Sequence, residues 1–149
     1  MTTQRAMAVI ILIAATVMVA CGGGSQRADT EAALKAAVKA ESEAIYRQDV
    51  RASYEGYAKA CREQVGLDEW SRSLMAGMAL FEGMMKVKFA ELKVDEVEVR
   101  DFTATTAEAA VVVSAHGTVI DRQPKFQPYA YEDGRWLATN CAGMKFGSR

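Results

Sequence analysis

The chain has 149 residues, half of them apolar and a quarter charged, with 18 basic against 19 acidic side chains. That length and composition fit one globular domain with a sizeable core. The near-zero net charge, with both signs interspersed, excludes the basic field that nucleic acid or an anionic membrane surface recruits.

The first five residues are polar and carry one basic side chain, Arg5. Residues 6–20, AMAVIILIAATVMVA, are unbroken apolar sequence. The run is shorter than the roughly 20 residues that cross a hydrocarbon core as a helix, and it suits the apolar region of a signal peptide. It ends Met18-Val19-Ala20-Cys21, small residues followed by a cysteine. This ending resembles the lipobox of bacterial lipoproteins, with Met18 where that motif usually has Leu. The resemblance implies a diacylglyceryl group on the Cys21 thiol, cleavage before Cys21, and anchoring at the extracytoplasmic face of the cell membrane by several acyl chains. Gly22-Gly23-Gly24-Ser25-Gln26 then reads as a flexible tether. The expected organisation is a signal peptide over 1–20, a lipidated cysteine and tether over 21–28, and a folded domain over 29–149. The competing reading is an uncleaved signal anchor with an incidental cysteine.

Within the domain, Asp29 is placed to cap a first helix running to about Gln48, with Leu34, Val38 and Ile45 as its apolar stripe and Ala37 and Ala44 beside it. Asp49 caps a second helix, in which Val50, Tyr54, Tyr57 and Cys61 share one face. Gly66 breaks the pattern, and Asp68 caps a third helix with Trp70, Leu74, Met78, Phe81 and Met85 at helical spacing. The period changes near Lys86. Leu92 and Val94, then Val97 and Val99, alternate as a strand whose parity shifts across Asp95-Glu96, the pattern of a bulge or short turn. Residues 107–118 read as a second strand. Residues 121–128 read as a loop or edge segment, because their two prolines cannot donate to a ladder. Residues 129–131 and 136–141 flank Asp133-Gly134, which suits a tight hairpin turn. Three helices followed by three or four antiparallel strands predict an α+β domain with helices packed on one face of a curved sheet.

With Cys21 assigned to lipid, Cys61 and Cys141 remain, and an oxidising compartment makes them a disulfide pair. The chain-entropy model gives such a bridge roughly 3–5 kcal/mol. A redox role is disfavoured, since the sequence has no CxxC. One histidine and two distant cysteines make a poor zinc set, so no metal and no cofactor is expected.

The order of elements resembles the NTF2-like (cystatin-like, SnoaL-like) α+β cone, and in particular the small NTF2-like lipoproteins of actinobacterial envelopes. The likeness rests on Ile45-Tyr46-Arg47-Gln48-Asp49, on Ala109-Ala110-Val111-Val112-Val113, and on the closing Tyr131-Glu132-Asp133-Gly134-Arg135-Trp136. It spans roughly residues 30–145 and implies an apolar pocket between helices and sheet, with dimerisation through the sheet as an option. It implies no single activity.

The sole histidine, His116, is the first candidate for acid–base work. Strand parity places Ala109, Val111, Val113 and Ala115 toward the core and His116 on the wetter face with Ser114. Tyr46, Tyr54 and Tyr57, with Asp95 and Asp101, supply phenols and carboxylates of the kind an isomerase-type cone uses. No spacing brings a phenol and a carboxylate together, so packed tyrosines and turn aspartates are the plainer reading. Methionines cluster on the third helix, and Met75, Met78, Phe81 and Met85 are read either as a core stripe or as the lining of a pocket for an apolar ligand. No catalytic residue is assigned. The sequence points to a non-enzymatic anchored domain that binds an apolar molecule or an envelope protein. An isomerase or dehydratase is one alternative, and it would show a buried carboxylate or histidine with a raised pKa at the pocket floor. A structural assembly partner is the other.

Overall fold

A computed structural model describes residues 28–121 and 125–145. The expected signal peptide, Cys21 and all but the last residue of the expected tether lie outside the described residues.

Helix α1 (Glu31–Tyr46) buries Leu34, Val38 and Ala44. Its N-cap is Thr30, whose side chain accepts a hydrogen bond from the Ala33 amide, rather than Asp29. The difference is one residue and costs nothing in capping chemistry, since a hydroxyl serves as well as a carboxylate. Asp49 caps the next helix as expected, accepting from the Ala52 amide.

The expected second helix is two short ones, α2 (Val50–Glu55) and α3 (Lys59–Gln64). The interruption has a tertiary cause. Tyr57 forms a parallel bridge with Ala138: the Ala58 amide donates to the Ala138 carbonyl (2.8 Å), and the Ala138 amide donates to Gly56 (2.9 Å). Backbone groups that would continue the helix are spent on the sheet instead. Helix α4 (Leu67–Met85) starts from Gly66, not Asp68, which sits in its first turn. Among the described residues there are therefore four α-helices rather than three.

Strands β1 (Leu92–Arg100), β2 (Thr106–Ala115), β3 (Thr118–Asp121), β4 (Gln127–Glu132) and β5 (Arg135–Ala138) form a curled antiparallel sheet, one strand more than the sequence predicts. The parity shift in β1 is a bulge between Val94 and Glu96, which lets both Val94 and Val97 face the core. Ser114 holds the bulge by donating to Asp95 (2.9 Å). The second strand stops at Ala115 rather than running to Thr118. His116 and Gly117 both take positive φ (51° and 77°), the geometry of a tight two-residue hairpin turn, and β3 returns along β2. Asp133 and Gly134 do the same between β4 and β5. Cys141 lies beyond the last strand, in a 3-10 turn (Cys141–Met144).

The core lies between α1, α4 and the concave face of the sheet. Leu34, Val38, Trp70, Leu74 and Met78 meet Val94, Val97, Ala109, Tyr129, Trp136 and Ala138. The Trp70 Nε1 donates to Ser53 Oγ (3.1 Å), and that hydroxyl donates to the Val50 carbonyl, which ties α2 to α4. The Cys61 and Cys141 Sγ atoms are bonded, fastening α3 to the C-terminal turn.

Candidate functional site

Glu41 interrupts the apolar stripe of α1. Leu34, Val38, Glu41 and Ile45 follow one another at four-, three- and four-residue steps, so the carboxyl is carried on the helix face turned to the sheet. It reaches a cavity of about 220 Å³ whose walls include Val38, Ile45, Tyr57, Trp70, Ala109 and Tyr129. The sheet explains why space is left there. Strands β3 and β4 share one edge of β2: β3 pairs Val113 to Ala115, and β4 pairs Thr106 to Ala109. The β2 ladder on that edge skips Ala110 to Val112. The cavity reaches this gap, where Lys125 and Gln127 stand at its rim.

Each polar group is positioned by its element. Tyr129 is fixed in β4 by pairing with Ala107 on one side and Ala138 on the other. Tyr57 is fixed by the bridge to Ala138 and by edge-to-face packing on Trp70, with centroids 5.4 Å apart. The Glu41 stem runs over Gly56, where an added Cβ would meet its Cγ at 2.8 Å. A side chain at position 56 would thus displace the carboxyl.

Tyr129 Oη donates to Glu41 Oε2 (3.0 Å). As a whole residue Glu41 is half-buried, while its carboxyl group is desolvated. Burial raises its pKa from 4.5 to about 7, and the bond from Tyr129 offsets part of that rise. Burial and the nearby Glu41 charge push the Tyr57 and Tyr129 phenols further above their ordinary values, so both stay neutral donors. Burial lifts Tyr46, on the far part of α1, to about 12. The site thus offers a carboxyl that changes charge near neutrality and two neutral phenols, with the buried Trp70 packed behind Tyr57. The Trp70 N–H is already used by Ser53.

The residues singled out from the sequence lie elsewhere. Met78 is core. Phe81 packs edge-to-face on Phe89. Met75 and Met85 are exposed, at 46% and 43%. The cavity against the sheet is lined mainly from α1, β2 and β4, with Tyr57 and, from α4, Trp70, and none of these four residues reaches it. His116 sits in the exposed β2–β3 turn, with Nε2 3.5 Å from a Glu91 oxygen. Tyr54 spends its hydroxyl on the Arg62 and Val65 carbonyls, Asp95 holds the bulge, and Asp101 is in a turn. Tyr57 is the one tyrosine from that set that joins the site. Glu41 and Tyr129 went unread, although a carboxylate at a core-spaced position was a usable signal.

A larger, open groove of about 440 Å³ lies between α1 and β1, where two of the three basic lining groups, Lys39 and Arg47, are held by Glu43 (3.9 and 3.6 Å) and the third is Lys93. On the other flank of α1, Trp136 borders a shallow depression that Glu41 also lines, and its Nε1 is buried with no hydrogen-bond partner among the described residues. Among the described residues, no group of three His, Cys, Asp or Glu side chains is placed to hold a metal ion, and no helix is long and apolar enough to cross a membrane. Comparison with protein-family models, with curated proteins and with solved structures finds no match.

Proposed function

We propose that the chain is a membrane-anchored extracytoplasmic lipoprotein whose domain, an NTF2-like cone, binds a small molecule between α1 and the sheet. The observation that carries this reading is the Glu41–Tyr129 pair in a cavity with partly apolar walls. Binding sites take this form, with apolar walls and a few convergent polar groups. The cavity's 220 Å³ is below the 300–1,000 Å³ usual for drug-sized ligands, so the occupant is small. Anchoring is supported by the segment ending at Cys21 and by a disulfide in the domain it would tether. A Cys21→Ser variant is expected to leave the membrane fraction, and unchanged fractionation would overturn the lipid anchor.

Native mass spectrometry of the purified chain released from nonionic detergent, followed by organic extraction, tests the binding reading. A co-purifying small molecule is expected. A folded but empty domain would contradict it and turn attention to a surface that binds protein.

The Glu41 carboxyl also favours a second reading, proton transfer of the isomerase or dehydratase type. A group that titrates near neutrality can act as a base and then as an acid. Deuterium exchange at the α-carbon of small ketones discriminates the two. Acceleration by the wild type and not by Glu41→Gln would select the enzyme.

A further inference from the structure

We infer that the exposed face of α4 is a second membrane contact, which seats the domain on an anionic lipid surface once the N-terminal segment is anchored. The inference rests on the anchored reading and is independent of what the cavity binds.

Four of the five large apolar side chains exposed among the described residues lie on α4. Leu80 and Met84 are exposed at 65% and 72%, and Met75 and Met85 at 46% and 43%. Ala76, Ala79 and Gly83 are exposed between them, and no polar residue from 73 to 85 is exposed. A helix that buries one stripe ordinarily turns a charged face to water. On α4 that face is apolar over about three turns. Contiguous apolar surface of this kind marks an interaction site.

Charge decides what covers it. Arg72 and Lys86 bound the stretch, both exposed and, among the described residues, neither in an ion pair. A second copy is a poor occupant. An antiparallel two-fold pairing centred on the stretch sets Arg72 of one copy against Lys86 of the other, and a parallel pairing sets each against itself, like charge on like in both. An anionic bilayer answers both features, since its apolar boundary takes the methionines and Leu80 while its phosphates take the two cations at headgroup depth. The acidic Asp68 and Glu69 are confined to the first turn, so the C-terminal half of α4 is the part that meets lipid. The Glu82 carboxylate is occupied by the Phe89 amide (2.9 Å).

The tether allows the contact. Tyr46, at the end of α1, packs on Phe89, and Phe89 on Phe81 of α4, with centroids 6.0 and 5.0 Å apart. The apolar half of α4 thus lies by the far end of α1, a helix about 24 Å long. The chain from Cys21 to Glu31 can reach at most about 35 Å, so a chain anchored at Cys21 can lay α4 on the same bilayer. Two cations are no field that recruits a free protein from solution. The anchor supplies the local concentration, and the weak contact has only to orient the domain.

The test is oxidation by water-soluble chloramine-T of the full chain added to preformed vesicles, with each methionine read by peptide mass spectrometry. In phosphatidylcholine vesicles containing phosphatidylglycerol, Met75 and Met84 are expected to oxidise about fivefold more slowly in the wild type than in Leu80→Glu, which sets a charge in the middle of the face. Protection should weaken when phosphatidylglycerol is left out and should not depend on the protein-to-lipid ratio. The wild-type comparison of the two vesicle compositions stands by itself if the variant does not fold. Methionines as reactive as those of a folded Leu80→Glu, or equally reactive in both compositions, would overturn the anionic lipid contact. Protection that grows with protein density would overturn it in favour of a second copy. A chain that floats with the vesicles but keeps reactive methionines would lose the docking and keep the anchor, whereas a chain that does not float would lose both.

Discussion

Reducing the Cys61–Cys141 bond is expected to lower the melting temperature of the domain by about 15 °C. The bridge closes a loop across a sequence separation of 80 residues. In the chain-entropy model, such a cross-link removes about 4–5 kcal/mol of freedom from the unfolded chain. Domains of this size are stable by only about 5–15 kcal/mol, so the bridge accounts for a large share. The effect is not confined to the unfolded state. Cys61 is buried in α3, and Cys141 opens the turn that carries the buried Met144. The segment preceding α3 is the one whose bridge to Ala138 sets Tyr57 at the cavity. Loss of the bond should therefore loosen the ligand site before the core, visible as faster amide exchange at residues 57–64. Thermal melts with and without reductant, and of the double variant Cys61→Ala/Cys141→Ala, measure the loss. A shift of under 3 °C would show that the bridge adds little to the folded chain's stability.

Replacing Glu41 with glutamine is expected to make the protein more stable above pH 7, by on the order of 3 kcal/mol. The direction follows from proton binding. Burial raises the folded-state pKa of Glu41 from 4.5 to about 7, so between these values the folded state holds more of this proton than the unfolded state. Stability from this group is full below pH 4.5, falls as pH rises through the window, and stays low above 7. Glutamine is neutral throughout, has nearly the same shape, and keeps an oxygen to accept from Tyr129. Wild type and variant should have matching stabilities at pH 4 and diverge steadily to pH 7.5 in urea titrations. Taking the difference between the two proteins cancels the remaining acidic groups. A variant less stable than wild type at pH 7.5 would mean that the carboxylate is paired and stabilising.

Much of the scaffold was legible because local chemistry and tertiary structure agree there. The Asp49 cap, the parity shift at Asp95-Glu96 and the Asp133-Gly134 turn are dictated by a few adjacent residues, and each is found in place. The departures came where distant groups compete. The helix expected through Tyr57 breaks because Gly56 and Ala58 find partners on Ala138, some 80 residues away, which no window of sequence reveals. The β2–β3 turn was missed because His116 takes a positive φ that is uncommon outside glycine, asparagine and aspartate. The candidate cavity went unread for a different reason. The methionines of α4 read either as a core stripe or as a pocket lining; Met78 is core, while the α4 face carrying Met75, Leu80 and Met84 is turned to solvent. Glu41 was passed over because a glutamate in an Ala-rich helix ordinarily faces water. Its spacing with Leu34, Val38 and Ile45 placed it on the core side, and the cost of burying a charge there is what makes the position a candidate.

The proposed site depends on the Glu41 carboxyl being withdrawn from water between α1 and the sheet. The most direct measurement is carbon-13 NMR of the glutamate side-chain carboxyls across pH 3–9, with the Glu41 resonance assigned from its disappearance in Glu41→Gln. The structure predicts a midpoint near pH 7 for Glu41. A midpoint near 4.5, alongside the solvent-exposed glutamates, would mean that the carboxyl is hydrated, and the cavity would lose the group on which its proposed ligand depends.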